Sequence, residues 1–301
     1  MRVSRQILWL VIILLLVTNV FTLLFFQPND STGPKVDTLD GNNDAIATVA
    51  GQEITYEQWI QYLIEHNGQD ALETMTNRAA VSTLAEEKGL SVSDKIIERE
   101  ISRLMATQDV LTEKEKQAKI EQWEKEITHR YLLQKLLAEQ VDVTEAEIAS
   151  YYQTYQEQYN FDQMVQLSHI TVATQQTAEE LYNQLENGES FVTLAEQYST
   201  DEETATDGGY LGYYTETSSF ISDRYFQEAH AIEEGNYSQP FSSAEGFSII
   251  YVHERLPSVS FTLEEVHSEV EADISLDRLE QNVDAKQLWE QLEVETIYQN
   301  E

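Results

Sequence analysis

The chain has 301 residues, with 18 Lys plus Arg against 54 Asp plus Glu, a formal net charge of -36 and no cysteine. That length fits a membrane segment and two modest globular units, not one small domain. The charge excludes a nucleic-acid partner and describes a hydrated, self-repelling surface suited to high salt or alkaline surroundings; the missing cysteine excludes disulfides and a lipid anchor on an N-terminal Cys.

Residues Gln6 to Phe26 carry no charge and are rich in Leu, Ile, Val and Phe, close to the roughly 20 residues that span a bilayer. Arg2 and Arg5 precede them and the next basic residue is Lys35, so the positive-inside bias makes residues 1–6 a cytoplasmic N-terminus, residues 7–26 a single transmembrane anchor and everything beyond extracytoplasmic. Phe25-Phe26-Gln27-Pro28 lacks a small-residue cleavage pattern, which favours an uncleaved anchor over a signal peptide. Residues 27–44, polar and with two prolines, read as a flexible tether.

At Ala45 the character changes. Ile46 to Ile54 alternates around Gly51 as a short hairpin, and Thr55 with Gln58 forms the start of a helix. Helical periodicity then continues for about a hundred residues: Trp59, Leu63 and Ile64, then Leu72, Met75, Ala79 and Leu84, then Ile96, Ile97, Ile101, Leu104 and Met105. Gly89 and Ser93 read as a C-cap and an N-cap. A long amphipathic stretch covers about Thr112 to Gln140, and Thr144 with Glu147 opens a Tyr-rich helix. Val165 to Ala173 alternates as a strand; Thr177 to Glu186 and Phe191 to Tyr198 read as helices, as does Ser222 to Ile232; Gln239 to Ser242 and Phe247 to His253 read as strands. Thr262 with Glu265 caps a last helix running to about Leu292. Its apolar positions Val266, Val270, Ile274 and Leu279 have no partner nearby in sequence, so this helix is expected to pack back on the N-terminal helices.

Five segments carry more specific information: Ser168-His-Ile-Thr-Val172, Phe191 to Asp201, Gly208-Gly-Tyr-Leu-Gly212, Gly235-Asn-Tyr-Ser238 and Gly246-Phe-Ser-Ile-Ile-Tyr251. In this order they resemble a parvulin-type (PpiC, rotamase) peptidyl-prolyl isomerase domain. The flanking pattern from about Ile46 to Tyr159 resembles the helical part of SurA-like and PrsA-like foldases. The resemblance implies an α+β fold: a helical chaperone domain at 45–162, completed by a C-terminal helix at 257–301, with an inserted parvulin domain of antiparallel sheet and surrounding helices at 163–256.

It also implies residue roles. His169 takes the place of the first active-site histidine, and Asp201 a position that is Cys or Asp in the family. Leu211, Ile221 and Tyr225 correspond to the walls of the proline pocket, with Phe226 as the alternative to Tyr225 one residue on. Ser243 matches a hydroxyl position, and Ser248 stands where the family has its second histidine. Each has a plainer reading: His169 as a strand histidine with satisfied hydrogen bonds, Asp201 as a turn cap, and the apolar residues as core. Two histidines orient each other in a way one serine cannot reproduce, so Ser248 is expected to weaken catalysis and Ser248→His to raise it. No cofactor or metal is expected, since the histidines are dispersed and no EF-hand spacing occurs.

The implied function is a membrane-anchored extracytoplasmic isomerase and chaperone whose partners are unfolded or partly folded exported polypeptides containing X-Pro bonds. The alternative is a holdase with a degenerate, non-catalytic parvulin domain. An apolar groove between the helices distinguishes both from a mere scaffold. The sequence leaves monomer and homodimer open.

Overall fold

The computed structural model of the protein describes residues 44–279 and 283–298. The expected anchor and all of the tether except Asp44 lie outside them. No helix among the described residues is long and apolar enough to cross a membrane.

The described residues fall into two units, divided between Leu72 and Glu73. In the first, β1 (Ala45–Val49) and β2 (Gln52–Thr55) form an antiparallel hairpin. Its turn residues Ala50 and Gly51 both have positive φ, 51° and 84°, the geometry that matches strand twist in two-residue hairpin loops. The expected cap follows: the Thr55 backbone donates to Gln58 Oε1 at 3.1 Å and the Gln58 backbone to Thr55 Oγ1 at 3.3 Å. Helix α1 (Tyr56–Lys88) begins there and continues into the second unit.

The second unit is mixed helix and sheet. Ser93 caps α2 (Asp94–Met105), and capping boxes at Thr112 and Thr144 open α3 (Glu113–Ala138) and α4 (Glu145–Tyr155). Each cap gives a side-chain oxygen to a backbone N–H that the first turn leaves unpaired. The sheet follows in the order β4 (Tyr210–Tyr214), β3 (Met164–Val172), β7 (Gly246–Leu256), β5 (Asn236–Tyr237), with β6 (Phe241–Ser243) paired to β7. All pairings are antiparallel.

Strand alternation assigns the two faces of this sheet. Ile170, Val172 and Ile249 pack with α5 (Gln175–Glu186) and α6 (Phe191–Tyr198) through Leu181, Leu185, Leu194 and Ala195. Val165, Leu167, Ile250 and Val252 pack with α7 (Asp223–His230) through Tyr225, Phe226 and Ala229.

The chain enters and leaves the sheet side by side. Phe161 and Val259 exchange two backbone hydrogen bonds of 2.8 Å. Beyond them α8 (Leu263–Arg278) places Val266, Val270 and Ile274 among Ile96, Ile127, Tyr131 and Ile148, so the last helix packs on α2, α3 and α4. It ends earlier than the sequence pattern suggests, at the Leu279 C-cap, and a separate 3-10 turn covers Ala285–Gln291. Asp284 caps that turn and Leu288 is fully buried among Val81, Leu84, Leu136 and Leu137. The helical periodicity past Arg278 therefore reflects one more buried contact, not more helix.

Candidate active site

His169 and Thr171 stand two residues apart on β3, so both side chains leave the same face. Across the ladder, β7 sets Ile250 opposite His169 and Ser248 opposite Thr171. His169, Thr171 and Ser248 are buried, at 7%, 1% and 0% exposure.

A row of hydrogen bonds runs through this face. Asp201 Oδ2 lies 2.7 Å from His169 Nε2, and His169 Nδ1 lies 2.9 Å from the Tyr225 hydroxyl. The Tyr225 hydroxyl is 3.0 Å from Ser248 Oγ, which is 2.8 Å from Ser243 Oγ. Thr171 Oγ1 joins at 3.2 Å from Ser248. No buried side-chain N or O among the described residues lacks a partner.

Asp201 belongs to the turn after α6 and serves two purposes at once. Its Oδ1 accepts the backbone N–H of Glu203 at 3.1 Å, and its Oδ2 accepts the Thr204 hydroxyl at 2.7 Å. Partial burial works against its charge, but the hydrogen bonds from Thr204 and His169 outweigh it and hold the carboxyl below its usual range. The turn-cap reading and the site reading of this residue therefore coincide.

The glycine pair in Gly208-Gly-Tyr-Leu-Gly212 shapes the floor beside His169. Gly209 has φ +75° and its carbonyl accepts the His169 backbone N–H at 2.8 Å; a Cβ there would lie 1.9 Å from the His169 carbonyl oxygen. Only glycine fits.

The apolar positions are sorted by the fold. Tyr225 reaches the row with its hydroxyl while its ring meets Phe241 edge-on at 5.3 Å. Its neighbour Phe226 is buried at 5% exposure and lines a narrow hollow with Met164, Tyr214, His230 and Arg255, away from His169. Leu211 and Ile221 are half-buried against the cluster that holds Tyr225. The structure thus brings His169, Asp201, Tyr225, Ser248 and Ser243 together and leaves Phe226 apart.

Three participants were not anticipated. Thr171 carries a signal in retrospect, since period two puts it on the face of His169, and Thr204 lies three residues after Asp201. Phe241 has no local signal. His253, half-buried, sits 2.8 Å from Ser168 Oγ on the opposite face, with burial pushing it down to about 4. Among the described residues no group of three His, Cys, Asp or Glu is placed to hold a metal ion.

Comparison with known proteins shows the family. Residues 166–254 match the Rotamase family, the PPIC-type PPIase domain. YacD of Bacillus subtilis, whose name assigns it provisionally to the peptidyl-prolyl cis-trans isomerases, is 32% identical over 258 residues, covering 85% of this chain and 86% of YacD. The chain belongs to the PpiC-type peptidyl-prolyl isomerase family. The foldase PrsA of Oceanobacillus iheyensis is 30% identical over 250 residues, 80% of this chain and 79% of that protein. The crystal structure of PrsA from Bacillus cereus aligns over 86% of this chain and 96% of its own, at 21% identity and a TM-score of 0.32. The family's matched segment spans β3 to β7, the elements that carry all five residues of the row.

Proposed function

We propose that the chain is a peptidyl-prolyl cis-trans isomerase and chaperone that assists the folding of exported proteins outside the cytoplasmic membrane. The observation that carries this is the buried row from Asp201 through His169, Tyr225 and Ser248 to Ser243, in a chain of the PpiC-type family.

The reaction asks for little chemistry. Amide resonance sets a barrier of ~18–20 kcal/mol while cis and trans X-Pro differ by only ~0.5–1 kcal/mol. Lowering the barrier needs no nucleophile; it needs a desolvated site that fits the twisted amide better than either planar one. Leu211, Ile221 and the Tyr225 ring supply the apolar wall for the proline ring. His169, Asp201 and Ser243 supply fixed polar groups beside the amide, and Ser248 links Ser243 to the Tyr225 hydroxyl that meets His169.

The helical part supports the chaperone half of the reading. A hollow of about 790 Å³ lies between α1, α2 and α3, with Val81, Ile97, Ile101, Ile120 and Leu132 among its lining residues; an apolar recess of this kind suits an unfolded segment. In this proposal residues 45–162 and 257–301 form the chaperone domain, 163–256 the isomerase domain, and 7–26 the anchor that keeps both outside the membrane. The uncharged stretch Gln6 to Phe26 and the acidic remainder support that placement.

Proline-limited refolding of a substrate protein by the full chain tests the claim. Acceleration that disappears in His169→Ala supports isomerisation; a rate equal to the uncatalysed one sinks it. Ser248, in place of the family's second histidine, favours one rival reading, a holdase. That reading expects suppressed aggregation of a client with no acceleration in the same experiment.

A further inference from the structure

We infer that the Tyr225 hydroxyl makes to His169 the hydrogen bond that a second active-site imidazole makes in the family pattern, so that this chain orients its histidine with a tyrosine and serine pair. The inference rests on the isomerase reading and assigns Tyr225 as a positioning residue within it.

The argument starts at Asp201. Its ionised carboxylate accepts from Thr204 and from His169 Nε2, both at 2.7 Å. A neutral imidazole must therefore carry its proton on Nε2, which leaves Nδ1 a buried acceptor. Two donors are in range, Tyr225 O–H at 2.9 Å and Thr171 O–H at 3.4 Å, and the shorter is the tyrosine. Burial pushes the phenol up, so it keeps its proton. The same phenol oxygen lies 3.0 Å from Ser248 Oγ, which in turn lies 2.8 Å from Ser243 Oγ and 3.2 Å from Thr171 Oγ1.

Space argues the same way. Ser248 is 0% exposed, with three hydroxyl oxygens within 3.2 Å. An imidazole there has no room beside the Tyr225 hydroxyl, whereas Phe at 225 would free that room. Tyr225 with Ser248, or Phe with His, are two ways to fill one volume and one hydrogen bond. This reverses the expectation that Ser248→His alone raises activity.

The test compares kcat/KM for a proline-containing peptide across the full chain, Tyr225→Phe, Ser248→His and the double variant. It adds the 15N signal of His169 Nδ1 in the parent and in Tyr225→Phe, assigned with His169→Gln. Each single change is expected to lower kcat/KM about tenfold, the worth of one buried hydrogen bond, and the double change to recover most of the loss. In Tyr225→Phe the Nδ1 signal moves towards that of an imine nitrogen without a hydrogen bond while Nε2 stays protonated. A Ser248→His protein as active as the parent, or an unchanged Nδ1 signal in Tyr225→Phe, overturns the inference. The NMR comparison decides it even if histidine at 248 prevents folding. An inactive parent with the shifted Nδ1 signal would refute catalysis and leave the hydrogen bond standing.

Discussion

Arg99 and Glu269, 170 residues apart in the chain, form a buried ion pair at 2.6 Å that ties α2 to α8. Arg99 is 0% exposed and also donates to the Tyr159 carbonyl at 3.0 Å and to the Tyr131 hydroxyl at 2.7 Å. Removing the guanidinium strands a buried carboxylate. Arg99→Met is therefore expected to lose about 3–5 kcal/mol of stability, and Arg99→Met with Glu269→Met much less. Urea unfolding midpoints measure both; equal losses would mean that the pair is not the source.

Catalysis and client protection should separate. Asp201→Asn removes a charge-assisted hydrogen bond from His169 and is expected to lower kcat/KM about ten- to a hundredfold. Aggregation of an unfolded client should still be suppressed, because the α1 to α3 hollow is untouched. A variant that loses both together would place client binding at the isomerase site.

Conversely, Ile120 lines that hollow and is only half-buried. Ile120→Gln is expected to weaken suppression of client aggregation several-fold, with peptide isomerisation at the parent's rate. Light scattering alongside the peptide assay checks it, and unaltered suppression would remove the hollow from the chaperone reading.

Gly212 within β4 and Gly209 just before it offer a contrast. Gly212 has φ +96° and open space around it, so Gly212→Ala should cost about 1–2 kcal/mol of backbone strain. Gly209→Ala adds a 1.9 Å approach to the His169 carbonyl, which no side-chain rotation relieves. It should melt markedly lower and lose isomerase activity. Equal melting temperatures for the two variants would contradict the contact.

Acid stability has two opposing contributors. Burial pushes His253 down to about 4 from 6.5, so as pH falls from 6.5 to 4 the unfolded chain takes up a proton that the folded one refuses, and stability is lost. Asp273 is pushed up to about 6 from 3.8, chiefly by burial, opposed by its Tyr159 hydrogen bond and reinforced by Glu269. It protonates first in the folded protein, so stability is gained over pH 6 to 3.8. Relative to the parent, His253→Phe should flatten the acid loss and Asp273→Asn steepen it. Unfolding midpoints across that range test the signs.

The legible parts of this protein were the local ones. The pairs Thr55 with Gln58, Thr144 with Glu147 and Thr262 with Glu265 all close as capping hydrogen bonds because three residues suffice to place both partners. The apolar spacing of Val266, Val270 and Ile274 marked a buried helix face, and the ordered segments around His169, Asp201 and the glycines marked the family.

What alternation and spacing cannot carry is which distant group meets which. Tyr225 was legible as a pocket wall, but the reach of its hydroxyl to His169, 56 residues away, depends on how α7 docks on the sheet. The pairing of Thr171 with Ser248 depends on the register of β3 against β7. The last helix stops at Arg278 because Leu288 must turn into the core formed by α1 and α3. The amino-acid sequence by itself determined the capped helix starts, the strand that carries His169 and the family. Tertiary structure alone decided that the serine in place of histidine completes a hydrogen-bonded row, because hydrogen bonds need atoms within about 3 Å and only packing sets that distance.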